Sequence, residues 1–232
     1  MKKYEATLPY APRLEGPTLP EVANMLEEAG TRLSVESLNW PQEFPYRPLT
    51  VVSAAHSGKH IFLDFLVRCN YLRAVNYKPN SRVSEDSCVE FYLQPDPASD
   101  RYWSLGCNCI GIVSAHCHDA SDSRYLTPEE LSLIKVYASV GTRPFQEVEG
   151  SFIWSVTMAI PLEIFGLTYT PGTPLRMRGN FNKCASATSQ PHYLSWAPIA
   201  SEHPDFHRID CFVDFKTVGL QFFKGAVRCT RT

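Results

Sequence analysis

The sequence predicts a mainly β fold: an antiparallel β-sandwich of immunoglobulin or jelly-roll type with two or three short peripheral helices. Three observations carry this. Apolar residues recur with period two over several stretches, as half-buried strands require. The 12 Gly and 18 Pro fall mainly between those stretches. No internal repeat and no alternation of strand with helix is visible, which argues against solenoids and parallel sheets. At 232 residues and 44% hydrophobic, the chain is long enough for one sizeable core, and single sandwiches reach roughly 200–250 residues. One domain over 1–232 is expected, with a sandwich over about 31–224 and an N-terminal extension over 1–30 carrying a short helix packed on it.

The extension opens with Pro9, Pro12, Pro17 and Pro20. Thr18 and Glu21 then make a capping box, and Val22, Met25, Leu26 and Ala29 follow at helical spacing before Gly30 closes the helix. Strands are predicted at Ile61–Val67, Cys88–Gln94, Trp103–Asn108, Phe152–Ile160, Arg176–Phe181 and Phe212–Phe215. A second capping box, Thr127-Pro128-Glu129-Glu130, predicts a helix running through Leu131, Ile134, Val136 and Tyr137, inserted between strands.

Composition narrows the function. The formal charge is −2, without a cluster of Lys or Arg, so the footprint of a nucleic-acid or anionic-membrane binder is missing. The longest uncharged stretches, Tyr102–His118 and Cys184–Ser201, are broken by polar residues and Pro, so no membrane span is expected. Met1-Lys2-Lys3 is followed by Glu5 and Pro9 instead of an apolar run, so no export signal is read. The expected compartment is cytoplasmic, or periplasmic or extracellular if a leader has been removed. Eight Cys are too sparse for a disulfide scaffold, and reduced, buried thiols are expected.

Dinucleotide, P-loop and nucleophile-elbow motifs are absent. Cys107, Cys109, His116 and His118 offer zinc's preferred donors without a zinc-finger spacing, and Cys107 and Cys109 equally suit one buried strand face. His118–Ser123 is oxygen-rich and suits either calcium or a solvated loop. No cofactor is implied otherwise. Asp86 and Glu90 invite a glycosidase reading, but four residues of strand rise about 13 Å, beyond the roughly 5–9.5 Å between glycosidase carboxyl groups. Neither is assigned a catalytic role.

The last third mixes polar and aromatic residues. Arg178, Asn180, Asn182 and Lys183 are followed by His192-Tyr193-Leu194-Ser195-Trp196. A pyranose stacks its apolar face on a flat ring, while its hydroxyls seek amides, carboxylates and guanidinium groups. Trp196 is the candidate platform, with a core position as its alternative; Trp40, Trp103 and Trp154 read as core.

Five blocks, in order over residues 50 to 223, carry a resemblance: Asp86-Ser87-Cys88-Val89-Glu90-Phe91, Asn108-Cys109-Ile110-Gly111, Arg178-Gly179-Asn180-Phe181-Asn182-Lys183-Cys184, Pro191 to Ile199, and Pro204-Asp205-Phe206-His207. Together they resemble the carbohydrate-binding module family 9-like proteins of Bacteroides-type bacteria. The resemblance implies a β-sandwich that binds oligo- or polysaccharides without catalysis, works beside a glycoside hydrolase, and holds calcium in some members. It also implies a sugar clamped between two Trp rings, helped by a carboxylate, an amide and a basic residue. Glu90, Asn108 and Trp196 match those positions, whereas Ser84 stands where relatives carry the first Trp.

The leading expectation is therefore a glycan-binding module: Trp196 as platform, Glu90, Asp86 and Asn108 as hydroxyl partners, and Arg178, Lys183 and His192 as rim donors. The alternatives are a glycoside or zinc hydrolase, and a protein-interaction module whose sugar site is lost at Ser84.

Overall fold

The computed structural model describes residues 4–121 and 123–218. Two sheets face each other. The larger contains β1 (Glu5–Pro9), β14 (Val213–Val218), β12 (Arg176–Ala185), β6 (Cys88–Gln94), β7 (Tyr102–Asn108), β8 (Val113–His118) and β9 (Arg124–Tyr125), in that order. A side branch runs from β12 through β13 (His192–Ser195) to β3 (Ser37–Leu38). The smaller sheet has the order β10 (Lys135–Ala138), β11 (Phe145–Pro161), β5 (His60–Ala74), β4 (Leu49–His56), β2 (Thr31–Ser34).

All six predicted strands are present, most of them longer than the periodicity indicated. Helix α1 (Leu19–Ala29) starts at the expected capping box, where the Thr18 N–H donates to the Glu21 carboxylate at 2.8 Å. Its buried Val22 and Leu26 pack on Ala55, Phe62 and Ala159, closing the outer face of the smaller sheet.

Three placements depart from the sequence reading. Residues 5–9 are not an appendage: β1 pairs in parallel with β14 and forms an edge of the large sheet, while the other named ladders run antiparallel. Helix α2 (Pro128–Leu133) begins at its capping box but ends before Ile134, and Lys135–Ala138 pairs with Val156–Ala159 as a strand. There, inward Val136 and Ala138 alternate with exposed Lys135 and Tyr137, so ladder hydrogen bonds and burial override a marginal helix.

The third is Trp196. Only 5% exposed, it sits in the core between the sheets. Its ring stacks on Phe215 at 5.5 Å and meets Tyr4 edge-on at 5.8 Å. Both faces are occupied, so it offers no platform to a ligand. Trp103 and Trp154 lie in the same core, and Trp40 lies in a second apolar cluster on the outer face of the large sheet.

The inward positions of β6 and β7 are Val89, Phe91, Leu93, Trp103, Leu105 and Cys107. Cys109 and Cys117 join them, so these thiols lie in the core while His116 and His118 project from the opposite face of the sheet. A zinc site combining these thiols and imidazoles would have to pass through the sheet, and is ruled out. The seven described cysteines are free thiols; Cys229 lies outside the described residues.

One polar hub ties the two sheets together. Asp86 is fully buried and accepts hydrogen bonds from Arg73 Nη1 (2.5 Å), Val75 N (3.0 Å), Asn76 N (2.9 Å) and Asn108 Nδ2 (3.0 Å). Asn108, also fully buried, donates to Asn76 O and accepts from Ile112 N. Both residues are thus structural, and neither offers a free polar group to a ligand.

Two outcomes are expected. Asp86→Ala strands the Arg73 charge and three other donors, and should cost roughly 3–5 kcal/mol, read as a lower denaturant midpoint. Trp196→Ala should cost a similar 3–5 kcal/mol by leaving a core cavity, read in the same assay.

Candidate functional site

The outer face of the large sheet carries a groove where side chains are small. Ser104 and Gly106 on β7 and Ser114 on β8 leave a depression, and Gly106 lies directly across from Glu90 on β6. A Cβ at position 106 would come within 3.0 Å of Val83 Cγ2, so the position is also tightly covered. Two lobes make up the groove. One, of about 300 Å³, runs over β7, β8 and β9 past Ser104, His116, His118 and Tyr125. The other, of about 220 Å³, runs over β12 and β13 past Cys184, Tyr193 and Phe206. Ser84, Glu90, Tyr92 and His207 line both.

Each bank is positioned by a segment outside the sheet. On one side, Val83–Glu85 forms a single 3-10 turn that ends at Asp86, whose N–H donates to Val83 O at 3.1 Å. The buried hub therefore sets where Ser84 stands. On the other side, the 196–212 segment folds back over the sheet. Trp40 Nε1 donates to Ser201 O, Ile199 N to Asn39 Oδ1, and Arg208 Nη1 to Ala200 O. Phe206 packs against Trp40 and Tyr193, which places His207 over Tyr92 and Tyr102.

Glu90 forms the floor. It is 6% exposed; its Oε1 accepts from the Cys184 thiol at 3.5 Å, and its Oε2 has no partner. Burial pushes its pKa up to about 7, against the opposing pull of Tyr92, Cys184 and Lys183. Beside it on the adjacent strand, Asn182 is fully buried with both amide atoms unpartnered.

Aromatic and imidazole rings make the wall. Tyr102 stacks on His118 at 4.4 Å with planes 4° apart, and its hydroxyl lies 3.0 Å from His207 Nδ1. Tyr92 Oη lies 3.4 Å from His207 Nε2, and Ser104 Oγ lies 2.8 Å from His118 Nε2. Burial depresses the pKa of His116, His118 and His207, that of His118 to about 4, helped there by the neighbouring imidazoles. The imidazoles are neutral at pH 7, and the charged side chains of the lining are Arg82 and Asp205 beside the Glu90 carboxyl.

Of the seven residues singled out from sequence, only Glu90 lines the groove. Lys183 points into the core, where Nζ donates to Cys184 O at 2.7 Å and to His192 Nε2 at 2.8 Å and lies 5.8 Å from the Trp154 ring. His192, 2% exposed, uses its Nδ1–H on Gln190 O. Arg178 donates to Phe212 O at 2.5 Å and to Gln94 Oε1. None of these three is a rim donor, because each is committed to a protein carbonyl or to another side chain. Groove residues that sequence reasoning left unassigned include Ser104, Tyr125, Tyr193 and His207, while Tyr92 comes into that reading only as a ring to fill the place of the Trp missing at Ser84. Only Tyr92 had a local signal, alternation, since it lies two residues from Glu90 and so shares its face.

Among the described residues, Cys88, Glu90 and Cys184 form a metal-like donor group, their ligand atoms within 4.8 Å of one another. Two thiols in three donors do not suit calcium. In the oxygen-rich stretch, Asp119 is taken up by Ser121 and Arg101, and Asp122 lies outside the described residues. No helix among the described residues is long and apolar enough to cross a membrane.

Comparison with known proteins agrees with this architecture. A candidate carbohydrate-binding protein from Bacteroides uniformis ATCC 8492 is 30% identical, with a TM-score of 0.81 over 93% of this chain and 100% of its own. A family 9 carbohydrate-binding module from Caldicellulosiruptor kristjanssonii in complex with cellotriose has a TM-score of 0.59 at 10% identity, covering 99% of this chain and 100% of that one. The same organism's module in complex with glucose has a TM-score of 0.59 at 12% identity, covering 94% and 98%. At those two identities the likeness is one of fold. No curated protein sequence matches the chain. The model of carbohydrate-binding family 9 matches residues 20–217, and the chain belongs to that family.

Proposed function

We propose that this carbohydrate-binding protein takes a neutral glycan in the groove over Glu90 and holds it without chemical change. The observation that carries the reading is Glu90, a buried carboxyl that lines both lobes of the groove and whose Oε2 has no partner within hydrogen-bond distance. A buried polar atom without a partner costs free energy that a ligand hydroxyl would recover. The lining matches the ligand in kind: tyrosine rings offer flat apolar faces to pyranose rings, while serine and neutral histidine side chains both donate and accept. An anionic ligand would meet no buried cation here, since Lys183 faces the core and Arg82 on the rim is exposed and lies 3.5 Å from Glu85. A glycoside hydrolase acting on the same glycan is the partner this reading implies, and co-purification of the two from the source organism tests it.

Glu90→Ala should weaken oligosaccharide binding by about tenfold or more, the loss of a hydrogen bond to a carboxyl group being worth roughly 1.5–3 kcal/mol. Calorimetric titration checks this, and unchanged affinity would place the sugar elsewhere.

The same carboxyl should leave a pH signature in the apo protein. In the folded state it keeps its proton up to about pH 7, whereas in the unfolded chain it ionises near its ordinary value of 4.5. Folded protein binds more protons between these limits, so stability falls as pH rises through that window. Glu90→Gln removes the effect. The stability of the wild type minus that of the variant should therefore drop by on the order of 3 kcal/mol between pH 4.5 and 8, measured by urea unfolding at each pH.

A further inference from the structure

We infer that Cys88, Glu90 and Cys184 form a site for one thiophilic divalent cation such as zinc, with Asn182 in place to supply a fourth donor. The inference stands apart from the proposed function: it concerns a metal held by the sheet itself, and its test contains no sugar.

Strand pairing brings the four side chains together. Cys88 and Glu90 lie two residues apart on β6, and Asn182 and Cys184 two apart on β12, so each pair shares one face of its strand. The antiparallel register sets Cys88 directly across from Cys184, and Glu90 directly across from Asn182. Cys88, Asn182 and Cys184 are at most 1% exposed, and Glu90 is 6% exposed. The two sulfurs and a carboxylate oxygen of Glu90 lie within 4.8 Å of one another, and Cys184 Sγ is 3.5 Å from Glu90 Oε1. Around a tetrahedral zinc, with Zn–S about 2.3 Å and Zn–O about 2.0 Å, a sulfur-to-oxygen edge measures about 3.5 Å and a sulfur-to-sulfur edge about 3.8 Å. The donors therefore stand within about 1 Å of the separations an ion needs.

Packing does not account for the set. Cys88 and Cys184 belong to the apolar cluster on the outer face of the large sheet, where thiols serve as small hydrophobes. A carboxyl and an amide do not serve that purpose, and here Glu90 Oε2 and both Asn182 amide atoms have no hydrogen-bond partner. One cation bound by two thiolates would engage the carboxylate and the Asn182 carbonyl oxygen together. The sulfurs select the metal: they favour zinc over calcium and magnesium, whose ligands are oxygens. Glu90 and Cys184 line the 220 Å³ lobe of the groove, which gives the ion a path from solvent. As the metal–sulfur bonds form, both thiols release their protons to solvent. The resulting complex of a dication with two thiolates and a carboxylate carries one net negative charge. Lys183, whose Nζ donates to Cys184 O at 2.7 Å from the core side, is within electrostatic reach of all three ligands.

The test adds zinc and cobalt(II) to untagged, chelator-stripped protein kept reduced. It compares wild type with Cys184→Ala, Glu90→Ala and, as a half-buried thiol outside the site, Cys211→Ser. Wild type and Cys211→Ser should bind one equivalent, give the visible bands of tetrahedral cobalt with sulfur-to-cobalt charge transfer in the near ultraviolet, and release protons in calorimetry run in two buffers. Losing a partner of a metal ligand already weakens metal sites by roughly 10–100-fold. Losing a ligand in Cys184→Ala should therefore weaken zinc by about a hundredfold or more and halve the charge-transfer intensity per cobalt. Glu90→Ala, which keeps both sulfurs, should retain that intensity while zinc binds about tenfold or more weakly. Failure of folded, reduced wild type to bind a full equivalent overturns the inference. So does binding without the sulfur band, or zinc affinity unchanged in Glu90→Ala or in folded Cys184→Ala. None of these results bears on the proposed function, which is read in metal-free protein.

Discussion

The buried carboxylate of Asp86 is the constraint from which the rest of the site follows. It sits where the end of β5 in the smaller sheet meets β6 and β7 in the larger, and takes donors from both sides. A lone buried carboxylate is prohibitively costly, whereas one with a guanidinium, two backbone amides and a side-chain amide around it is a rigid joint. That joint fixes the turn at Val83–Glu85, and the turn sets Ser84 beside Glu90. The Asp-Ser-x-x-Glu block thus holds two carboxyl groups with opposite duties. Asp86 has every oxygen engaged, while four residues on Glu90 keeps one free.

Strand alternation accounts for most of what was legible in the sequence. Period two located six strands, and the same alternation, not followed as far as the site, puts Glu90 and Tyr92 on one face opposite Val89 and Phe91. Caps were equally readable, because Thr18-x-x-Glu21 and Thr127-x-x-Glu130 are local. Illegible were facts decided at long range. Nothing within Lys135–Ala138 tells that β11 has an edge in need of a partner. Nothing within 1–30 tells that residues 5–9 lie beside a strand formed by 213–218.

The same limit explains the site residues. Arg178, Asn180 and Asn182 alternate as a polar face should, and that face does point away from the core between the sheets. It is nonetheless covered, because the 196–212 segment folds over it and Asn180 bonds Ala197. Trp196 opens that segment and enters the core, so the aromatic most suggestive of a sugar platform is spent on packing. The rings that line the groove are tyrosines and histidines from β6, β8, β9, β13 and the returning loop, which come together only through the fold.

Glu90 carries the physical case for the proposed site. Its burial raises its pKa to about 7 and leaves Oε2 unsatisfied, so the folded protein carries a cost that core packing elsewhere must offset. Asn182, buried with both amide atoms unpartnered, adds to that cost beside it. A sequence selected for stability alone would place apolar residues at both positions, as it does at Val89 and Phe91 on the other side of the same sheet. Local conflict of this kind concentrates where function is exercised. Near neutral pH the carboxyl is poised between donor and acceptor, and the neutral imidazoles around it share that ambivalence. A hydroxyl both donates and accepts, so this lining can meet it in either sense, whereas a phosphate or a carboxylate would find only the exposed Arg82, already beside Glu85, to balance its charge.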